Sequence, residues 1–139
     1  MGVVADAVLA EGGEVLGIIP SLLLEREAGK RDVHDLVVTE SMHDRKDRMI
    51  AASDAFVSLP GGFGTLDELL EVMTLRQLGY IASPILLLDT GGYWRPFLDL
   101  IDRVVEEAFA EREAAALVEV APDAEATLDR IAALLQPAG

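Results

Sequence analysis

Two short stretches hold side chains that could act on a ligand: SMHDRKDRM, residues 41–49, and LPGGFGTLDE, residues 59–68. In the first, Arg45 offers a planar, permanently charged fork suited to phosphate or carboxylate oxygens, with Lys46 beside it. On a helix Met42, Arg45 and Met49 share one stripe, so this cation sits among apolar groups. The competing reading is a solvated ion-pair helix, in which Asp44 and Asp47 interleave with Arg45, Lys46 and Arg48. In the second stretch, Gly61, Gly62 and Gly64 follow an apolar run and precede Thr65, Asp67 and Glu68. Glycines at a strand-to-helix junction let the backbone take φ > 0 and turn successive amides into one concavity. The helix N-terminus adds partial positive charge, so the unit suits a phosphate. Its spacing matches neither G-x-x-x-x-G-K-[ST] nor G-x-G-x-x-G, and no lysine follows, which disfavours a triphosphate–magnesium site. From spacing alone, Thr65-x-x-Glu68 reads better as a capping box than as chemistry. The two histidines, His34 and His43, have no metal-ligand spacing, so no metal site is expected. Without cysteine or a G-x-S-x-G elbow, neither common nucleophile arrangement is present.

The elements that must position these residues follow from hydrophobic periodicity. Apolar residues at helical spacing predict a helix over residues 1–13, with Gly12 and Gly13 as its C-cap. Strands are expected at 14–19, stopped by Pro20, and at 34–39, with a loop or a short irregular piece over 20–32 between them. A helix over 41–53 has Ser41 as N-cap and Asp44 at the third helical position. A strand at 55–59, a helix at 65–80, a strand at 84–89 and a turn at Gly91-Gly92 come next. A helix at 96–111, a strand at 117–120 and a helix after Pro122 complete the chain. Short, near-continuous apolar strands alternating with helices mark a parallel sheet covered on both faces. The fold class is therefore α/β, doubly wound, as one domain over 1–139. A doubly wound sheet ordinarily begins with a strand, whereas here a helix starts at Met1.

Composition sets the outer limits. The chain of 139 residues carries a formal net charge of −14, which repels nucleic acid and anionic lipid, so neither is expected as a partner. An anionic ligand must therefore meet a local concentration of donors and cations. The longest aliphatic run, residues 85–88, is far short of a membrane span. No basic, then apolar leader opens the chain, and it has no cysteine, so secretion is not indicated and a cytoplasmic location is expected.

Taken together, MHDRK (42–46) and PGGFGTLDE (60–68) resemble the M-H-x-R-K and P-G-G-x-G-T-x-x-E motifs of the Lonely Guy (LOG) family. Its members are cytokinin riboside 5′-monophosphate phosphoribohydrolases, long labelled possible lysine decarboxylases. The resemblance extends to GGEVLGIIP, LEVMTLRQLGYIASPILLL and YWRPFLDLIDRVVEEAF. It implies a Rossmann-like, three-layered sheet and hydrolysis of the N-glycosidic bond of AMP or a cytokinin riboside 5′-monophosphate. No metal or organic cofactor is implied, and a homodimer is. By position, Arg45 and Glu68 match the catalytic pair. Glu27, Lys46, Gly61, Gly62, Phe63, Gly64, Thr65, Leu66, Asp67 and Thr74, with Arg45 and Glu68 again, match substrate contacts. Cleavage passes through an oxocarbenium-like state, which Glu68 could stabilise while orienting the attacking water, and Arg45 could position Glu68. No lysine stands out as a Schiff-base residue, so the decarboxylase label gains no support. Family members carry a strand, a helix, a strand and a G-G-G-x-x-G-L-M-G turn ahead of this point, and Met1-Gly2 matches only the end of that turn. The chain is accordingly expected to be N-terminally truncated. The alternative function is a non-catalytic nucleotide- or cofactor-binding carrier of the same fold. A carboxylate beside the phosphate loop favours the enzyme, because simple phosphate binding has no use for a repelling charge.

Overall fold

A computed structural model describes residues 2–24 and 35–136, in two units that divide between Ala52 and Ser53. In the first, α1 (Gly2–Ala10) ends as expected: Gly12 takes φ 77°, and the Gly13 amide donates to the Val8 carbonyl at 2.9 Å. That left-handed cap is cheap only for glycine. The apolar stripe of α1 stays uncovered, and Val3 is 82% exposed. Strand β1 (Leu16–Pro20) pairs in parallel with β2 (Asp35–Thr39), from Leu16 opposite Asp35 to Pro20 opposite Thr39. Between them the loop reading needs correction at its start, where Ser21–Leu24 form a single helical turn, α2. The rest of that stretch, with Glu27 and His34, lies outside the described residues. Helix α3 (Met42–Ala51) follows β2, and the buried Thr39 donates its hydroxyl to the Ser41 carbonyl at 3.2 Å across the junction.

The second unit is a β-α-β-α-β run with a closing helix. Strands β3 (Phe56–Ser58), β4 (Ile85–Leu88) and β5 (Glu119–Ala121) pair in parallel with β4 in the middle, Phe56 opposite Ile85 and Leu86 opposite Glu119. Helix α4 (Phe63–Gln77) connects β3 to β4; α5 (Arg95–Glu106) connects β4 to β5; α6 (Ala124–Leu135) ends the unit. Parallel strands need such crossovers. A central strand covered on both faces should be apolar throughout, and Ile85, Leu86 and Leu87 are fully buried. Each stabilises the unit by about 1.5–3 kcal/mol. Leu69, Val72 and Met73 of α4 are also buried, as is Trp94 ahead of α5. The buried leucine, isoleucine, valine, methionine and tryptophan side chains among the described residues all lie in this unit, and the first unit buries Pro20 and Thr39. Arg76, near the end of α4, donates to the Leu117 carbonyl at 3.1 Å and ties that helix to the approach of β5.

The α/β class with parallel strands holds, and the strands pair within each unit, two in the first and three in the second. Several helix ends differ from the periodicity, two of them with a visible cause or consequence. Helix α5 stops at Glu106, because Ala108 enters the left-handed region at φ 58° and the Phe109 amide turns back to the Val104 carbonyl at 3.0 Å. Helix α4 begins earlier than expected, with consequences for the site. No helix among the described residues is long and apolar enough to cross a membrane.

Candidate active site

Helix α3 sets out the cations of the first unit. Ser41 caps it as expected, its Oγ accepting from the Asp44 amide at 3.0 Å. Spacing of i,i+4 brings Arg48 Nε to Asp44 Oδ1 at 2.9 Å and His43 Nε2 to Asp47 Oδ2 at 3.5 Å, so part of the ion-pair reading is right. Arg45 departs from it. This residue is half-buried, and its Nε donates to the Ile18 carbonyl of β1 at 3.0 Å, which anchors the guanidinium plane to the sheet. Lys46 is half-buried on the same helix, as is Met49, whereas Met42 is exposed. Glu27 lies outside the described residues.

The glycine stretch of the second unit occupies the end of β3, as the sequence implied, but its turn is built differently. None of Gly61, Gly62 and Gly64 has positive φ, and Gly62 sits at φ −91° and ψ −157°. What demands glycine at 61 is space: a Cβ there would lie 2.2 Å from Thr65 Oγ1. At Gly62 and Gly64 a Cβ would meet nothing within 4 Å, so the loop is open on that side. Gly62 itself is the N-cap of α4, and its carbonyl accepts from the Leu66 amide at 3.2 Å. Thr65 therefore lies in the first turn, not ahead of it. The Thr65–Glu68 capping box is overturned, since it needs Thr65 in the N-cap position.

With the helix start displaced, Glu68 falls in the second turn of α4 and is half-buried. Helical side chains lean toward the N-terminus, which carries Glu68 back over the turn of Gly64 and Thr65. Leu66 is half-buried, Asp67 exposed, and Phe63 stands 93% exposed between the two open glycines. Thr74 is exposed and donates its hydroxyl back to the Leu70 carbonyl at 2.7 Å. It lies about 9 Å farther along the helix axis than Glu68 and on another face, so α4 does not bring the two together. Sequence reasoning missed Tyr93, which follows β4 and whose hydroxyl donates to the Gly61 carbonyl. The signal was available: β3 and β4 are neighbours in a parallel sheet, so the loops after them adjoin.

The first amides of a helix lack intrahelical partners and carry its positive end. An open glycine turn feeding those amides, with a carboxylate one turn on, can hold an anion next to a group that stabilises positive charge or orients water. The possible lysine decarboxylase family model matches residues 1–131. The chain is 41% identical over 131 residues to the "Probable cytokinin riboside 5'-monophosphate phosphoribohydrolase LOGL2" of Oryza sativa subsp. japonica, covering 94% of this chain and 54% of that protein. It is 43% identical over 131 residues to cytokinin riboside 5'-monophosphate phosphoribohydrolase LOG3 of Arabidopsis thaliana, covering 94% and 61%. To cytokinin riboside 5'-monophosphate phosphoribohydrolase LOG of Oryza sativa subsp. japonica it is 44% identical over 124 residues, covering 89% and 51%. The chain thus spans about half to three-fifths of the length of these relatives.

Proposed function

The chain belongs to the possible lysine decarboxylase family, which includes the LOG phosphoribohydrolases, and from that premise we propose that it hydrolyses the N-glycosidic bond of AMP or a cytokinin riboside 5′-monophosphate. The products are the free base and ribose 5-phosphate. The observation that carries the reading is the junction of β3 and α4, where glycines with open space over Gly62 and Gly64 lead into a helix bearing Glu68 in its second turn.

In this proposal the amides of the glycine turn and the first turn of α4 take the 5′-phosphate, a role favoured by the positive helix end and by the lack of side chain at Gly62 and Gly64. As the bond to the base lengthens, positive charge grows on the ribose carbon and its ring oxygen. The Glu68 carboxylate stabilises that charge and holds the water that attacks the carbon, accepting its proton. The leaving base takes the bonding electron pair and a proton from solvent, and Glu68 returns the water's proton to solvent. Arg45, with Nε fixed on the Ile18 carbonyl, keeps in the first unit a planar cation suited to ligand oxygens, and Lys46 adds a second cation to the same helix. The same carboxylate argues against a carrier protein, for which a negative charge near a bound phosphate is only a cost.

Incubation with AMP and with an N6-prenylated AMP, followed by chromatography of the free bases, tests the activity. Glu68→Gln is expected to bind AMP and to lose turnover by about 10²-fold or more, the usual scale for removing a positioned base or charge stabiliser. Turnover unchanged by that substitution would remove Glu68 from the reaction. Retained AMP binding with no base released from either nucleotide by the unsubstituted protein would favour the carrier.

A further inference from the structure

Tyr93 stands on a loop that is itself firmly built. Gly91 and Gly92 take φ 68° and 73° in succession, a bend closed to most side chains, within the turn Thr90–Gly92 that follows β4. The Asp89 carboxylate accepts from the Trp94 amide at 2.7 Å across the base of that bend, and the Trp94 indole donates to the Leu88 carbonyl at 3.2 Å. Trp94 is fully buried, and its ring meets those of Tyr93 and Phe97 edge to face, with centroids 5.1 and 5.7 Å away. The phenol is therefore held at its ring while its hydroxyl reaches across to the Gly61 carbonyl, 32 residues earlier.

We propose that Tyr93 is a positioning residue for the glycine turn: by holding the Gly61 carbonyl, it sets the direction of the Gly62 amide that begins the anion site. In a planar trans peptide the carbonyl and the following N–H point opposite ways, and no cis bond occurs among the described residues. Gripping the oxygen of Gly61 thus aims the hydrogen of Gly62. Thr65 holds the same residue from its other side, its Oγ1 filling the place a Cβ would take. Gly62, where an added Cβ would meet nothing within 4 Å, has no side-chain packing to stop the peptide rotating. Preorganising an amide in this way lowers the ordering cost of binding without adding a contact to the ligand.

The site's ligand rests on the function proposed above, so the test separates the two. Tyr93→Phe keeps the ring against Trp94 and removes only the hydroxyl. Amide hydrogen exchange of the ligand-free protein is expected to speed up at Leu66, whose amide donates to the Gly62 carbonyl, by about threefold to tenfold, the factor one hydrogen bond is worth, with β4 amides unchanged. The AMP dissociation constant is expected to rise by a similar factor, while kcat changes less than twofold, since Tyr93 touches no reacting atom. Exchange at Leu66 identical in the two proteins would overturn the proposal. So would acceleration spread equally over β4, which would make Tyr93 a general support of the sheet. Failure of both proteins to bind AMP would defeat the assigned ligand but leave the exchange comparison to decide the role of Tyr93.

Discussion

Gly61 and Gly62 are adjacent and chemically identical, yet their environments assign them different work. At Gly61 a methyl group would press on Thr65 Oγ1 at 2.2 Å and on its Cβ at 2.9 Å, both fixed in the first turn of α4. Gly61→Ala is therefore expected to destabilise the protein by about 1–3 kcal/mol, the range for overpacking against a neighbour that cannot move away. Gly62 has a backbone conformation open to alanine and no atom within 4 Å of the new methyl. Gly62→Ala should leave the urea midpoint nearly unchanged. If the open side of the turn is where a phosphate sits, the same substitution should weaken AMP binding by about tenfold or more. Urea titration and calorimetry on the two variants check the contrast. A Gly62→Ala protein with full AMP affinity would place the phosphate elsewhere.

At the scale of elements, several helix ends carry a local device. Ser41 and Asp123 cap α3 and α6 by accepting from the amides of Asp44 and Ala126 at 3.0 and 2.8 Å. The end of α5 is the exception, because its left-handed residue is Ala108. An L side chain in that region costs about 1–2 kcal/mol. Ala108 is exposed, so glycine would remove the strain without opening a cavity. Ala108→Gly is expected to raise stability by roughly 0.5–1 kcal/mol, less than the full strain because glycine also gains freedom in the unfolded chain. A lower urea midpoint for this variant would mean that Ala108 is not strained.

Across the molecule, acids outnumber bases by 25 to 11, and an acid with a well-placed partner is correspondingly informative about pH. Glu119 of β5 is one: Arg130 of α6 donates to both its oxygens, at 2.5 and 3.1 Å. That hydrogen bond, above all, holds the Glu119 carboxyl below its usual range. Because the folded value is depressed, the pair stabilises the fold at pH above the unfolded value near 4.5, and the contribution disappears as pH falls through the folded value. Glu119→Gln should melt below the unsubstituted protein at pH 7, with the gap closing as pH falls through the folded value of Glu119. Both groups are largely exposed, so 1 M salt should narrow the pH 7 difference. A gap that does not narrow as the solution is acidified would assign the effect to packing.

Much of this was legible in the chain because it depends on near neighbours. The alternation of strands and helices follows from periodicity over a few residues, the caps at Gly12 and Ser41 from the preferences of single positions, and the buried β4 from a run of four aliphatic residues. The glycines and acids of residues 61–68 were recognisable as a candidate site for the same reason. What could not be read there rests on contacts between distant residues. The helical stripe sets Arg45 among apolar residues, but nothing local gives it the Ile18 carbonyl, 27 residues earlier, as its anchor, while Arg48 pairs with Asp44 on the helix surface. Nor does anything local make Gly62 rather than Thr65 the start of α4 or give Gly61 a partner in Tyr93. A helix start is set by where the preceding strand delivers the chain, and a side chain's partner by which strands lie side by side. Those are properties of the folded sheet, whose hydrogen bonds join residues that are neighbours only once it has formed.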